Sequence, residues 1–83
     1  MQVHELKTLN PFFEDVWSGL KDFEVRKNDR DFKVGDRLKL IEFGEAKNYV
    51  PRFILKDVKY ILKGGQYGIS SDYVVLGLKD VRF

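Results

Sequence analysis

Lys21, Glu24 and Arg26 are the residues of this chain whose types and spacing point most directly to chemistry. They sit in Lys21-Asp22-Phe23-Glu24-Val25-Arg26, where apolar and charged residues alternate with the period of a strand. Phe23 and Val25 are expected to face one way, into the core. Glu24 and Arg26 then share the other, non-core face, with Lys21 at the strand's entrance. Two cations around one carboxylate are costly to bury unless they pair. They form either an exposed, self-compensating ion-pair cluster or a polar pocket. In a pocket, Arg26 would grip a phosphate or carbonyl with its bidentate fork, and Glu24 would accept from a base amine.

Other residues could border such a site. His4 is the single histidine, and alternation places Leu6, not Lys7, on its face. Tyr67, on a glycine-rich stretch, is a candidate surface for stacking a base. Phe13 and Trp17 read as core residues of an amphipathic helix. Gly64-Gly65-x-x-Gly68 lacks the Gly-Lys-Ser/Thr ending of a phosphate-binding P-loop and precedes a strand, so that reading is rejected. It reads as a bend between strands, although glycine there would let a sugar-phosphate approach the backbone. Asn28-Asp29-Arg30 reads as a turn held by its Asn and Asp side chains, with Arg30 free to reach a rim.

These residues must be positioned by one small domain spanning 1–83, since 83 residues leave no room for a second. A chain this short has a thin stability margin, offset in part by an aromatic share of 14%. The absence of cysteine excludes disulfides and thiolate metal sites. With one histidine, neither a metal nor a cofactor is expected. No apolar run approaches membrane-spanning length, the N-terminus lacks the order of a secretory signal, and a cytoplasmic location is the default expectation. Net charge is only +2, but residues 51–63 carry +3, a stripe that could meet phosphates or simply be a solvated strand face.

Val3 to Leu6 reads as a short strand. Asn10-Pro11 opens a helix, Glu14 and Asp15 suit its first turn, and Phe12, Phe13, Val16, Trp17 and Leu20 form one buried face that ends at Gly19. Strands follow at 22–26, 37–43, 52–62 and 73–79, with a loop at 44–51. The apolar phase slips at Leu40/Ile41 and again near Lys56-Asp57, where bulges or bends are expected. One helix and about five strands predict a mainly β (α+β) fold, a small barrel with the N-terminal helix packed against it. An open α+β sandwich is the alternative. Edge strands could pair, so a monomer or weak dimer is expected.

Gly19-x-Lys21-x-x-Glu24-x-Arg26 matches the signature of the ASCH family, similar in fold to PUA domains. The chain resembles its short bacterial and phage members through His4-Glu5-Leu6-Lys7, Phe23 to Arg30, Val34-Gly35-Asp36, Tyr60 to Ile69 and Tyr73 to Leu76. The resemblance covers nearly the whole chain. It implies a PUA-like barrel with a cleft floored by Lys21, Glu24 and Arg26, edged by His4, Lys7, Arg30 and Tyr67, and a role in binding RNA or a nucleotide. Some small ASCH relatives are amidohydrolases acting on N4-acetylcytidine through a lysine, a threonine three positions later and a downstream glutamate. Lys21 matches the lysine, but Glu24 stands at the threonine position, and Tyr73-Val74-Val75-Leu76 offers no glutamate. The expectation therefore leans to binding. The alternative is a small hydrolase of a modified nucleoside or RNA with Lys21 and Glu24 as acid/base pair. A third reading is a protein-binding or phage-related accessory domain.

Overall fold

The computed structural model describes residues 1–44 and 50–82. Along the chain run β1 (Val3–Leu9), α1 (Phe12–Trp17), β2 (Phe23–Lys27), β3 (Arg37–Phe43), β4 (Phe53–Lys63) and β5 (Tyr73–Asp80). They form one sheet of order β1-β3-β4-β5-β2, in which β1 and β3 are parallel and the other pairs antiparallel. The fold is mainly β, as expected: five strands curl into a half-barrel, with one short helix against it. The two ends of the sheet, β1 and β2, are its edges. The expected loop at 44–51 falls largely on 45–49, outside the described residues.

Alternation decides the core. His4, Leu6 and Thr8 of β1 face inward, as do Leu38, Leu40 and Glu42 of β3 and Val74, Leu76 and Leu78 of β5. The helix adds Phe13 and Val16, both fully buried, and the 28–36 connection adds Phe32. The helix is shorter than its apolar pattern predicts. Trp17 and Phe12 are half-exposed and Leu20 is open to solvent, because α1 packs mainly on β1 and β3 and offers them one narrow stripe, Phe13 and Val16. Trp17 is thus not a core residue. The N-cap is Pro11 rather than the expected Asn10: the Pro11 carbonyl accepts from the Asp15 amide at 3.0 Å, and Asn10, one residue outside the helix, still satisfies the Glu14 amide through its Oδ1 at 3.2 Å.

The bulge expected at Leu40/Ile41 is absent. β3 pairs with β1 in unbroken register from Arg37 to Phe43, and Glu42 rather than an apolar residue takes the last interior position. The slip expected near Lys56-Asp57 is real but lies two residues further on, between Val58 and Tyr60. At the glycine-rich turn after β4, the Gly64 amide donates to the Tyr73 carbonyl at 2.8 Å. A Cβ on Gly64 would run into the carbonyl oxygens of Ser70 and Tyr73, both backbone atoms. Gly64→Ala is therefore expected to destabilise the domain by about 3 kcal/mol, read as a lowered midpoint in urea unfolding.

Candidate functional site

The curl brings β1 and β2 face to face without a ladder between them, and arginine side chains cross the gap. Arg26 Nη1 donates to the Lys7 carbonyl at 3.0 Å, and Nη2 to Thr8 Oγ1 at 3.0 Å. Further along, Arg30 Nη1 donates to the Glu5 carbonyl at 2.8 Å. Between Asp22, whose carbonyl accepts from Leu78, and Asn28, whose amide donates to Asp72, the even residues of β2 turn their backbone to β5. Phe23 and Val25 turn theirs to the gap. The result is a cleft of about 390 Å³ between two strand edges, lined by β1 residues 7–9, Phe12, Lys21 and β2 residues 23–26. That volume is at the small end of the range for small-molecule sites.

Glu24 lies at its floor. Its side chain is only 4% exposed, against 15% for Lys21 and 23% for Arg26. Lys21 Nζ contacts Glu24 Oε2, and Arg26 Nη2 donates to Oε1 at 2.9 Å. Glu24 and Arg26 do share a face, but it is the interior one, and Phe23 and Val25 point outward, half-exposed. The expected orientation of this strand is thus reversed. A carboxylate clasped by two cations can be buried where an isolated one cannot. The Lys21 ammonium also donates to the Phe23 carbonyl at 2.7 Å and lies 4.9 Å from the Phe23 ring and 5.9 Å from that of Phe12. Counting donors, an ammonium has three N–H groups and a guanidinium five. Both cations keep N–H groups beyond those used on the protein. With Lys7 at the rim, the cleft carries three cations against one carboxylate.

The other expected site residues separate. Arg30 borders a smaller recess that shares Arg26 with the cleft. His4 is outside it: its Nε2 pairs with Asp36 Oδ2 at 2.9 Å, buried, with the ring edge-on to Phe32 at 4.8 Å. Burial works to raise the Asp36 pKa, but hydrogen bonds from His4 and from the Gln2 and Lys33 amides outweigh it and hold the carboxyl below its usual value. Tyr67 is 87% exposed at a left-handed φ of 53° and lines none of the cleft. Thr8 is the site residue the sequence analysis lacks: β1 runs on to Leu9 rather than ending at Leu6, and the alternation through His4 and Leu6 carries Thr8 inward.

The basic stripe at 51–63 is partly neutralised. Arg52 is bound to Glu42 and Glu14 and stacks over Trp17 at 4.6 Å, and Lys56 pairs with Asp80. Among the described residues, no group of three His, Cys, Asp or Glu side chains could hold a metal ion. No helix among them is long and apolar enough to cross a membrane.

Fold and cleft together define a class: a small half-barrel β domain with a cation-rich, aromatic-edged cleft at its open seam. Residues 3–78 match the family described as "Domain of unknown function (DUF3850)", and the chain belongs to that family. No curated protein matches the sequence.

Proposed function

We propose that this domain is an ASCH-like binding module that holds a nucleotide, free or within single-stranded RNA, in the cleft between β1 and β2. The observation that carries this reading is the composition of the cleft. Lys7, Lys21 and Arg26 outnumber the one carboxylate, which favours an anion, and the half-exposed rings of Phe12 and Phe23 offer surfaces to a base. The resemblance of the signature strand to ASCH proteins agrees with it. Binding is favoured over hydrolysis because, among the described residues lining the cleft, neither the hydroxyl nor the carboxylate is free to attack. The Thr8 side chain is buried, its hydroxyl accepting from Arg26 and donating to the Leu6 carbonyl, and both Glu24 oxygens are engaged.

Calorimetric titration with the four nucleoside 5′-monophosphates tests this. Lys7 and Phe12 are exposed, so their alanine variants should fold normally. Lys7→Ala is expected to weaken binding about five-fold and flatten its salt dependence. Phe12→Ala is expected to weaken it about ten-fold. Wild-type protein that binds none of the four, or variants of equal affinity, would reject the reading. Product formation from N4-acetylcytidine that vanishes in Lys21→Met would replace binding with catalysis.

A further inference from the structure

The convex face of β2, β5 and β4 bears an uncovered aromatic surface. Register fixes its rows. Phe23 lies opposite Gly77, and Gly77 opposite Tyr60; the next row is Val25, Val75 and Leu62; Lys27 lies opposite Tyr73. These residues face away from the core because Val74, Leu76 and Leu78 point into it. Tyr60 is 63% exposed, Val25 51%, Phe23 42% and Tyr73 39%, far more than the outer face of a sheet covered by another layer would show.

The β4 bulge shapes this surface. With Val58 opposite Leu78 and Tyr60 opposite Gly77, Lys59 is the extra residue. A Cβ on Gly77 would point outward and lie 3.3 Å from Tyr60 Cβ and 3.7 Å from Lys59 Cγ. The bulge therefore sets a cation and a phenol ring side by side on the outer face, next to a position without a side chain. Tyr60 and Phe23 stand on strands two spacings apart, about 10 Å, with Gly77 between them. A planar ring fits over that gap. Lys59 forms no ion pair among the described residues, Lys79 lies opposite Asp57, whose carboxylate is paired with Arg37, and Lys27 lies near Asp72. Aromatic rings on an open sheet, bordered by lysines, match the chemistry of a single nucleic-acid strand, whose bases stack while its phosphates seek cations. The surface is also continuous with the cleft, since Phe23 and Val25 line both.

We infer that the outer face of β2, β5 and β4 is a stacking platform for single-stranded RNA, extending the path of a strand whose neighbouring nucleotide occupies the cleft. The inference rests on the cleft reading above for its direction, while the platform is built from different residues.

Binding of uridine 5′-monophosphate and of an eight-nucleotide oligouridylate to wild type, Tyr60→Ala, Tyr60→Phe and Lys7→Ala separates the two. Tyr60 is exposed, and alanine keeps the Cβ that meets Gly77, so the variant should fold. The octamer is expected to bind Tyr60→Ala about ten-fold more weakly than wild type, with Tyr60→Phe close to wild type and monophosphate binding unchanged. Octamer affinity that ignores Tyr60→Ala, or the absence of octamer binding, would overturn the platform. So would self-association of the wild type abolished by Tyr60→Ala, which would assign the face to a second copy of the chain. Octamer binding that depends on Tyr60, with no monophosphate binding and no effect of Lys7→Ala, would keep the platform and remove the cleft reading.

Discussion

Replacing Arg52 with methionine is expected to lower the melting temperature at neutral pH by about 10 °C or more, followed by circular dichroism. Glu42 is the reason. It occupies an interior position of β3 opposite Thr8, and its side chain is wholly buried. Arg52 reaches it through Nε at 3.3 Å, Nη2 at 3.1 Å and its backbone amide at 3.2 Å, and Asn10 Nδ2 adds a bond at 3.0 Å. The same guanidinium contacts Glu14 and lies over the Trp17 and Phe13 rings, so it ties α1 to the sheet. Methionine fills comparable space but leaves a buried carboxylate without its cation, the costly half of a broken pair.

The pH dependence gives the sign. Hydrogen bonds from Arg52, then from Asn10, hold the Glu42 carboxyl at about 2 against an ordinary value of 4.5, with burial working in the opposite direction. A carboxyl depressed in the folded state contributes stability that is complete above its unfolded value. That contribution is lost as pH falls from 4.5 towards 2. Wild type should therefore lose stability across this interval. Glu42→Gln should lose less there, and Arg52→Met less still, because burial without Arg52 favours the protonated acid. Adding Glu42→Gln to Arg52→Met should recover part of the neutral-pH loss, a coupling measurable by a double-mutant cycle.

Arg26→Ala is expected to destabilise the domain by about 3 kcal/mol and to speed amide exchange in β1 and β2 more than in β4 and β5. Arg26 makes the larger of the two arginine ties across the seam, beside that of Arg30 to Glu5: one guanidinium joins Glu24 of β2 to Thr8 and the Lys7 carbonyl of β1. Its removal loosens the seam, leaving the Arg30 bond to Glu5 across it, and leaves Glu24 with Lys21 alone. Arg26→Lys should not restore stability, since one ammonium cannot reproduce a planar fork that reaches three acceptors. Uniform acceleration of exchange, or full rescue by lysine, would show that the seam is held by something else. Loss of ligand binding in Arg26→Ala would be ambiguous for this reason, and the rim residues Lys7 and Phe12 are the cleaner probes.

Element types and order were legible in the sequence because period-two runs and glycine turns are local signals. Which way β2 faces was not. Hydrophobicity alone turns Phe23 and Val25 inward, and only the three-dimensional clasp of Lys21, Glu24 and Arg26 lets charge take the interior side. Glu42 misled the reading of β3 in the same way: its partner Arg52 lies ten residues on, and without it the apolar phase looks broken at Ile41. Of the expected site, Lys7, Lys21, Glu24 and Arg26 converge. His4 departs to Asp36, a partner 32 residues away that no local pattern announces. Tyr67 stays on its loop, and Arg30 takes the neighbouring recess.

The central claim is that the seam between β1 and β2 receives a nucleotide. Titrating isotope-labelled protein with uridine 5′-monophosphate and following the backbone amide resonances tests it most directly. Saturable shifts concentrated at residues 7–9, 12 and 21–26 are the predicted result. Shifts centred on the 64–68 turn, or none at saturating nucleotide, would contradict it.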